Sequence, residues 1–198
     1  MSDSDEVEWF LICNEKNITL KKNDSNTYKI TFNVVGSKNN EDTVLNVLKN
    51  GQLFDLLYAL NPDVVNKVDV IEDQCDIHHV FMTFKPSQND QGEDNDKIMH
   101  VFFSLKYSFK ENKCTAKSQL FNHNDNHNSD LLSKIVKVKE GRDFLPISKI
   151  KLTVAESNKK TSVCLKFKVD NKKSSNIINM CVGLYFKKIF HRFKQYFE

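Results

Sequence analysis

Hydrophobic positions early in the chain recur with a period of two. Tyr28, Ile30, Phe32 and Val34 alternate with Lys29, Thr31 and Asn33, as in a strand with one face in a core and the other in water. Ile18 and Leu20 alternate with Thr19 and Lys21 just upstream, and Asn23-Asp24-Ser25-Asn26 between the two runs supplies turn chemistry. A hairpin over 17–35 is therefore predicted. Glu8–Cys13 reads as a buried strand, and residues 1–7 as a disordered acidic tail.

After Gly36 the spacing becomes helical. Val44, Leu45, Val47 and Leu48, then Leu53, Phe54, Leu57 and Leu60, predict two short helices or one broken at Asn50-Gly51, ending at Asn61-Pro62. Period-two runs return at His79–Lys85 and at Met99–Lys110, where Val101, Phe103, Leu105, Tyr107 and Phe109 share a face. Cys114–Phe121 reads as a further strand, and Ile150–Val169 as a second hairpin turning near Glu156–Thr161. Polar segments near 86–97 and 122–129 have nothing to bury and are expected to be flexible loops; Leu131–Val136 reads as a short helix or, since Val136 and Val138 alternate with lysines, as a strand. Over 176–197 large apolar residues follow a three-to-four spacing while Lys187, Lys188, Arg192 and Lys194 fill the complementary positions. That is a basic amphipathic helix.

Strands, a helical insert, more strands and a terminal helix define an α+β fold. The expected architecture is a mainly antiparallel β-sheet, sandwich or barrel-like, with a helical insert near 41–61 and a C-terminal amphipathic helix. Residues 8–198 are read as one domain.

Composition adds an asymmetry to this pattern. Through Ile98 nine lysines face eighteen acids, whereas from Met99 onward twenty basic residues face eight acids. One-sided positive charge attracts nucleic acid, anionic lipid or an acidic partner. Five cysteines, an odd number and widely spaced, suit reduced thiols and hence an intracellular protein, cytoplasmic or nuclear; nothing at the N-terminus reads as a signal peptide. No uninterrupted apolar run reaches the length of a membrane span.

Signatures of catalysis are lacking. The five glycines do not cluster into a phosphate loop, and neither a G-x-S-x-G elbow nor an H-E-x-x-H helix occurs. Cys75, His78 and His79 with His123 and His127 carry ligand chemistry suited to zinc, but no second cysteine stands near either cluster. Pairs such as Cys75 with His100, or Cys181 with His191, are equally unspecific, and the acids Asp69, Glu72, Asp73 and Asp76 read as a solvated face. No catalytic residue, metal or cofactor is predicted, and the chain is read as not an enzyme.

Two binding features rise above this background. Tyr185, Phe186, Ile189, Phe190, Phe193, Tyr196 and Phe197 spread around more than half of the terminal helix, more than one buried stripe absorbs, which suggests a protein partner or homo-oligomer contact. Lys106, Lys110, Lys149, Lys151, Lys166 and Lys168 occupy the polar sides of the late strands, with Phe102 as a stacking surface, which suggests a nucleic-acid-binding face. The basic terminal helix also suits phosphoinositides or a membrane surface. The expected function is thus a non-catalytic intracellular interaction module, a subunit of a protein complex, with nucleic-acid or membrane-surface binding as alternatives.

Overall fold

Alternation along the strands is resolved by a sheet that hides one face from water. The computed structural model describes residues 7–35, 43–73, 76–85, 99–119, 147–157, 160–170 and 176–198, with the side chains of 72, 73, 99 and 176–181 excepted. Among these residues the strands are β1 (Phe10–Glu15), β2 (Ile18–Lys22), β3 (Thr27–Val35), β4 (Val65–Asp73), β5 (Ile77–Phe84), β6 (Met99–Lys110), β7 (Lys113–Ser118), β8 (Ile147–Ser157) and β9 (Lys160–Val169). Helices α1 (Val44–Lys49) and α2 (Leu53–Leu60) lie between β3 and β4, and α3 (Asn176–Phe197) closes the chain. All nine strands join one antiparallel sheet in the order β1-β2-β3-β9-β8-β7-β6-β5-β4. The fold is α+β and mostly antiparallel β.

Local chemistry sets the corners. In the β2–β3 turn the side-chain oxygen of Asn23 accepts from the backbone N–H of Thr27 at 2.9 Å, and Asn26 takes the left-handed conformation (φ 56°) that asparagine tolerates. Thr43 caps α1 by accepting from the N–H of Asn46 at 3.2 Å. Gly51, at φ 71°, lets the chain turn between α1 and α2. Fully buried Asn61 then ends α2: its side-chain nitrogen donates to the Leu57 carbonyl at 2.8 Å, while its own carbonyl accepts from Val64 and Val65 at the start of β4.

Aromatic contacts show that the sheet curls around α3. The Phe186 ring on α3 lies 4.8 Å from Phe167 on β9 and 5.9 Å from Phe84 on β5. Those two strands are four positions apart in the sheet, about 19 Å if it were flat, so one ring touches both only because the sheet wraps. Phe190 meets Phe32 on β3 at 6.1 Å, and Tyr28 stacks on Phe167 at 5.3 Å. Phe193, Ile189 and Val182 complete the buried stripe of the helix.

Most expected elements stand where alternation placed them, with two differences. Strand β4 was read from sequence only as a solvated acidic run; its pairing with β5 buries Val65 beside Phe84 and places Val68 and Val70 against the core. The upstream strand is not buried: it is an edge strand on which Phe10, Leu11 and Ile12 are exposed. Residues 1–6 of the expected tail over 1–7, the loops near 86–97 and 122–129 and the segment 131–136 lie outside the described residues.

A clamp fixes α3 to the corner after α2. Asp63 accepts from Lys188 at 3.0 Å and from Arg192 Nη2 at 2.9 Å, with a second short contact to Nη1. The Arg192 hydrogen bond first, and the Lys188 one second, hold the Asp63 carboxyl well below the ordinary carboxylate range. A carboxylate whose pKa falls on folding stabilises above its unfolded value and loses that contribution as pH drops through the interval below it. Acid unfolding is therefore expected to gain a component below about pH 4 that Asp63→Asn abolishes. Because Asp63 is half exposed, the loss in the variant at neutral pH is about 1 kcal/mol or less; urea melts from neutral pH downward measure both.

Candidate functional site

The space between the wrapped sheet and the helices is lined by carbon and sulfur alone. Leu53, Phe54 and Leu57 of α2 form one wall, and Phe186, Ile189 and Phe190 of α3 form the roof. The floor is the inner face of the sheet: Met82 on β5, Phe103 and Leu105 on β6, Ile147, Ile150 and Leu152 on β8, Leu165 and Phe167 on β9. Alternation puts Phe103 with Leu105, Ile150 with Leu152 and Leu165 with Phe167 on this face, and the irregularity in β8 between Ser148 and Lys151 brings Ile147, three residues from Ile150, onto it as well. The unfilled space measures about 500 Å³ with its adjoining solvent included, yet only about 30 Å³ takes the centre of a water molecule. That is room for a few waters at most, so the walls stand nearly closed and an occupant must spread α2 or α3 from the sheet.

Titratable groups near the cavity do not suggest chemistry. Burial pushes the Tyr107 hydroxyl far up, and it raises the Cys114 thiol to about 11; a thiol shifted that way is inert. Among the described residues no group of three or more His, Cys, Asp or Glu is placed to hold a metal ion. Of the zinc candidates, His78 lies on β5 beside the Tyr107 ring at 4.7 Å, and His79 is buried with its Nδ1 2.8 Å from the Ser104 hydroxyl. Cys75, His123, His127 and the Cys181 side chain lie outside the described residues.

The terminal-helix residues read as a partner surface are placed mostly inside. Phe186, Ile189, Phe190, Phe193 and Phe197 are buried in the chain's own core, Tyr185 is half-buried near Phe84, and Tyr196 is exposed. Phe186, Ile189, Phe190, Phe193 and Phe197, the last four at offsets of 3, 4, 7 and 11 from the first, fall on one face of the helix, and the curled sheet covers that face. Its basic residues are committed as well: Lys187 pairs with Glu15, Lys188 and Arg192 with Asp63, and Lys194, itself buried, with Glu198.

The late-strand lysines are brought together more sharply than their spacing implies. Cross-strand register aligns Lys21, Lys29, Lys166, Lys151, Lys117 and Lys106, one from each of six neighbouring strands, in a single row across the outer face. Lys110 and Lys168 share that face in other rows, and Lys149 sits at a break in the β8–β9 register with φ 51°. Trp9 lies over Lys29 and Lys166, with the ammonium groups 5.6 and 5.7 Å from its ring. Phe102 is outside this row and packs on Phe81 with ring centroids 4.6 Å apart. Like charges directly opposite destabilise a sheet by roughly 0.2–1 kcal/mol per pair. Lys117→Thr removes two such pairs, so we expect a gain of about 1 kcal/mol in low salt that shrinks as salt rises toward physiological strength; urea melts at two salt concentrations read it.

No protein-family model matches the sequence, and no curated protein matches it significantly. Solved structures do share the fold. The STAR-related lipid transfer protein (fragment 25–204) of Xanthomonas axonopodis superposes with a TM-score of 0.64 at 11% identity, covering 96% of this chain and 98% of that one. Human StAR-related lipid transfer protein 5 gives 0.63 at 8% identity, covering 98% and 88%. The human StarD13 (DLC2) lipid transfer and protein localization domain gives 0.60 at 12% identity, covering 94% and 89%. The chain thus has the fold of StAR-related lipid transfer domains: a curled antiparallel sheet gripping a C-terminal helix.

This finding corrects the binding readings made from sequence. The adaptor or complex-subunit reading, with its protein partner or homo-oligomer, relied on a surplus of apolar side chains on α3 that is spent on the cavity roof and the core. The membrane-surface reading relied on basic residues that are engaged within the chain. Nucleic-acid binding relied on Phe102 stacking beside the lysines, and Phe102 lies on Phe81 away from the row. The fold points instead to proteins named for lipid transfer. What sequence reading missed were the cavity residues: Leu152, Leu165 and Phe167 alternate as any packed core residue does, and no spacing marks a gap between packed faces.

Proposed function

We propose that this protein is a non-enzymatic carrier that binds one apolar, lipid-like molecule between its sheet and α3. The observation that carries this reading is the cavity wall, formed by leucine, isoleucine, phenylalanine and one methionine from five strands and helices around the roof helix. Such a lining gains by excluding water from a hydrocarbon body and offers no described group to neutralise a charged head. The ligand class is therefore a sterol-like ring system or an acyl chain whose polar end stays at the mouth. The likeness to lipid transfer domains supports the same class. We place the protein inside the cell, in cytoplasm or nucleus, in keeping with its odd, widely spaced cysteines, three of which are free thiols among the described residues. No described helix is long and apolar enough to cross a membrane. We treat 8–198 as one domain, which the single sheet shared by its described strands supports.

The test is direct. Protein purified without detergent is extracted with organic solvent and the extract read by mass spectrometry, while delipidated protein is titrated with a fluorescent sterol and a fluorescent fatty acid. Saturable binding of one probe at one site per chain, displaced by the extracted lipid, is the expected result. Empty extracts together with no saturable binding of either probe would overturn the proposal.

A further inference from the structure

Outside the cavity, one cluster of reactive side chains ties the first strand to the roof helix. The Lys187 ammonium donates to Cys13 Sγ at 2.8 Å and to Glu15 Oε2 at 2.7 Å. Lys187 keeps only 11% of its side chain in contact with water, whereas Glu15 stays 70% exposed. The contact depends on an irregularity in β1. Leu11 pairs with outward-facing Lys21, while Cys13, two residues on, pairs with inward-facing Leu20. In a regular strand residues two apart share a face; the shift of register between Leu11 and Cys13 turns the cysteine toward the helix. Burial works against the Lys187 charge, but the hydrogen bonds to Cys13 and Glu15 outweigh it and keep its pKa above the usual lysine value.

We propose that Cys13 and Lys187 are a peroxide-responsive pair that closes into a covalent S–O–N crosslink between β1 and α3. The separation of the two atoms is one that a single bridging oxygen spans with little movement of either side chain, whereas a direct sulfur–nitrogen bond is far shorter. A thiol beside an ammonium is the environment in which cysteine reacts with peroxide.

The steps balance with two molecules of hydrogen peroxide as oxidant. In the first, the thiol sulfur takes one peroxide oxygen, the O–O bond breaks, and the cysteine becomes a sulfenic acid with release of one water. With the thiol consumed, the Lys187 ammonium gives its proton to solvent hydroxide, leaving a free amine. A second peroxide transfers oxygen to that nitrogen, giving a hydroxylamine and another water. Condensation of the hydroxylamine with the sulfenic acid joins nitrogen to sulfur through one oxygen and expels a third water. Sulfur and nitrogen each lose two electrons, and the two peroxides accept all four. The product fixes the helix residue next to Phe186, which roofs the cavity, to the edge strand.

Full-length protein is treated with hydrogen peroxide, digested without reductant, and sequenced by tandem mass spectrometry. The expected product is a peptide containing Cys13 joined to one containing Lys187, heavier than the separate pair by one oxygen and lighter by two hydrogens. Dithiothreitol is expected to separate the two peptides. The product should be lost in Cys13→Ser and in Lys187→Arg, which keeps the charge and the Glu15 pair; circular dichroism melts confirm that each variant is folded. Recovery of Cys13 as sulfinic or sulfonic acid on an unjoined peptide, a joined product lacking the oxygen, or joining that persists in Lys187→Arg would each overturn the proposal.

Discussion

Gly183→Leu is expected to destabilise the protein by about 3 kcal/mol and to loosen α3 from the sheet. At Gly183 the helix backbone lies against Leu20 of β2 and Tyr28 of β3. A Cβ placed there would stand 2.8 and 2.9 Å from two carbons of the Tyr28 ring and 3.4 Å from a Leu20 methyl. Neither neighbour yields easily. Tyr28 is fully buried and stacked on Phe167, and Leu20 is fully buried beside it. Overpacking a close-packed site costs typically 1–3 kcal/mol, and a whole leucine side chain belongs at the upper end of that range. Gly183→Ala separates two terms, because removing a helical glycine returns up to about 1 kcal/mol of propensity against the clash of the single carbon. Urea melts should rank the native chain first, alanine next and leucine last. A leucine variant as stable as the native chain would mean that α3 does not sit where it is placed.

Leu165→Trp is expected to abolish ligand binding while leaving a folded protein. Leu165 stands on the cavity floor, directly between Ile30 on β3 and Leu152 on β8. An indole there projects into the space that an apolar ligand would fill, so a bound molecule loses its room without any change to the outer surface. Because the space is narrow when empty, some strain is expected, about 1–3 kcal/mol. Titration with whichever probe the native protein binds should show at least a tenfold weaker affinity, about 1.4 kcal/mol or more of lost binding free energy. Unchanged affinity would place the ligand elsewhere on the molecule.

How much of this was legible in the sequence varies from element to element. Strands β3, β6, β8 and β9 alternate cleanly, and the Asn50-Gly51 break between α1 and α2 carries its own turn chemistry, so these were readable. Strand β4 was not, because Asn66, Lys67, Asp69, Glu72 and Asp73 outweigh its inward valines until β5 is known to lie beside it. The terminal helix was correctly bounded and wrongly interpreted. Phe186, Phe190 and Phe193 share one face of the helix and demand an apolar partner, and the sequence does not say that the chain's own curled sheet is that partner. The lysine row shows the converse. Each strand advertises its own polar positions, but the alignment of six of them depends on register, which is a property of pairs of strands and not of any one.

Placing β3 next to β9 has a kinetic consequence. Thr27 meets Lys168 and Val35 meets Lys160, so the N-terminal hairpin closes onto a strand made more than a hundred residues later. At a synthesis rate of about 5–20 residues per second, that hairpin waits roughly ten seconds on the ribosome for its neighbour, and longer still for α3. Contacts so distant along the chain fold slowly, after the hairpins of the C-terminal half have formed. The newborn chain therefore spends its early life with the greasy side of Tyr28, Ile30 and Phe32 uncovered, a stage at which a chaperone has most to offer.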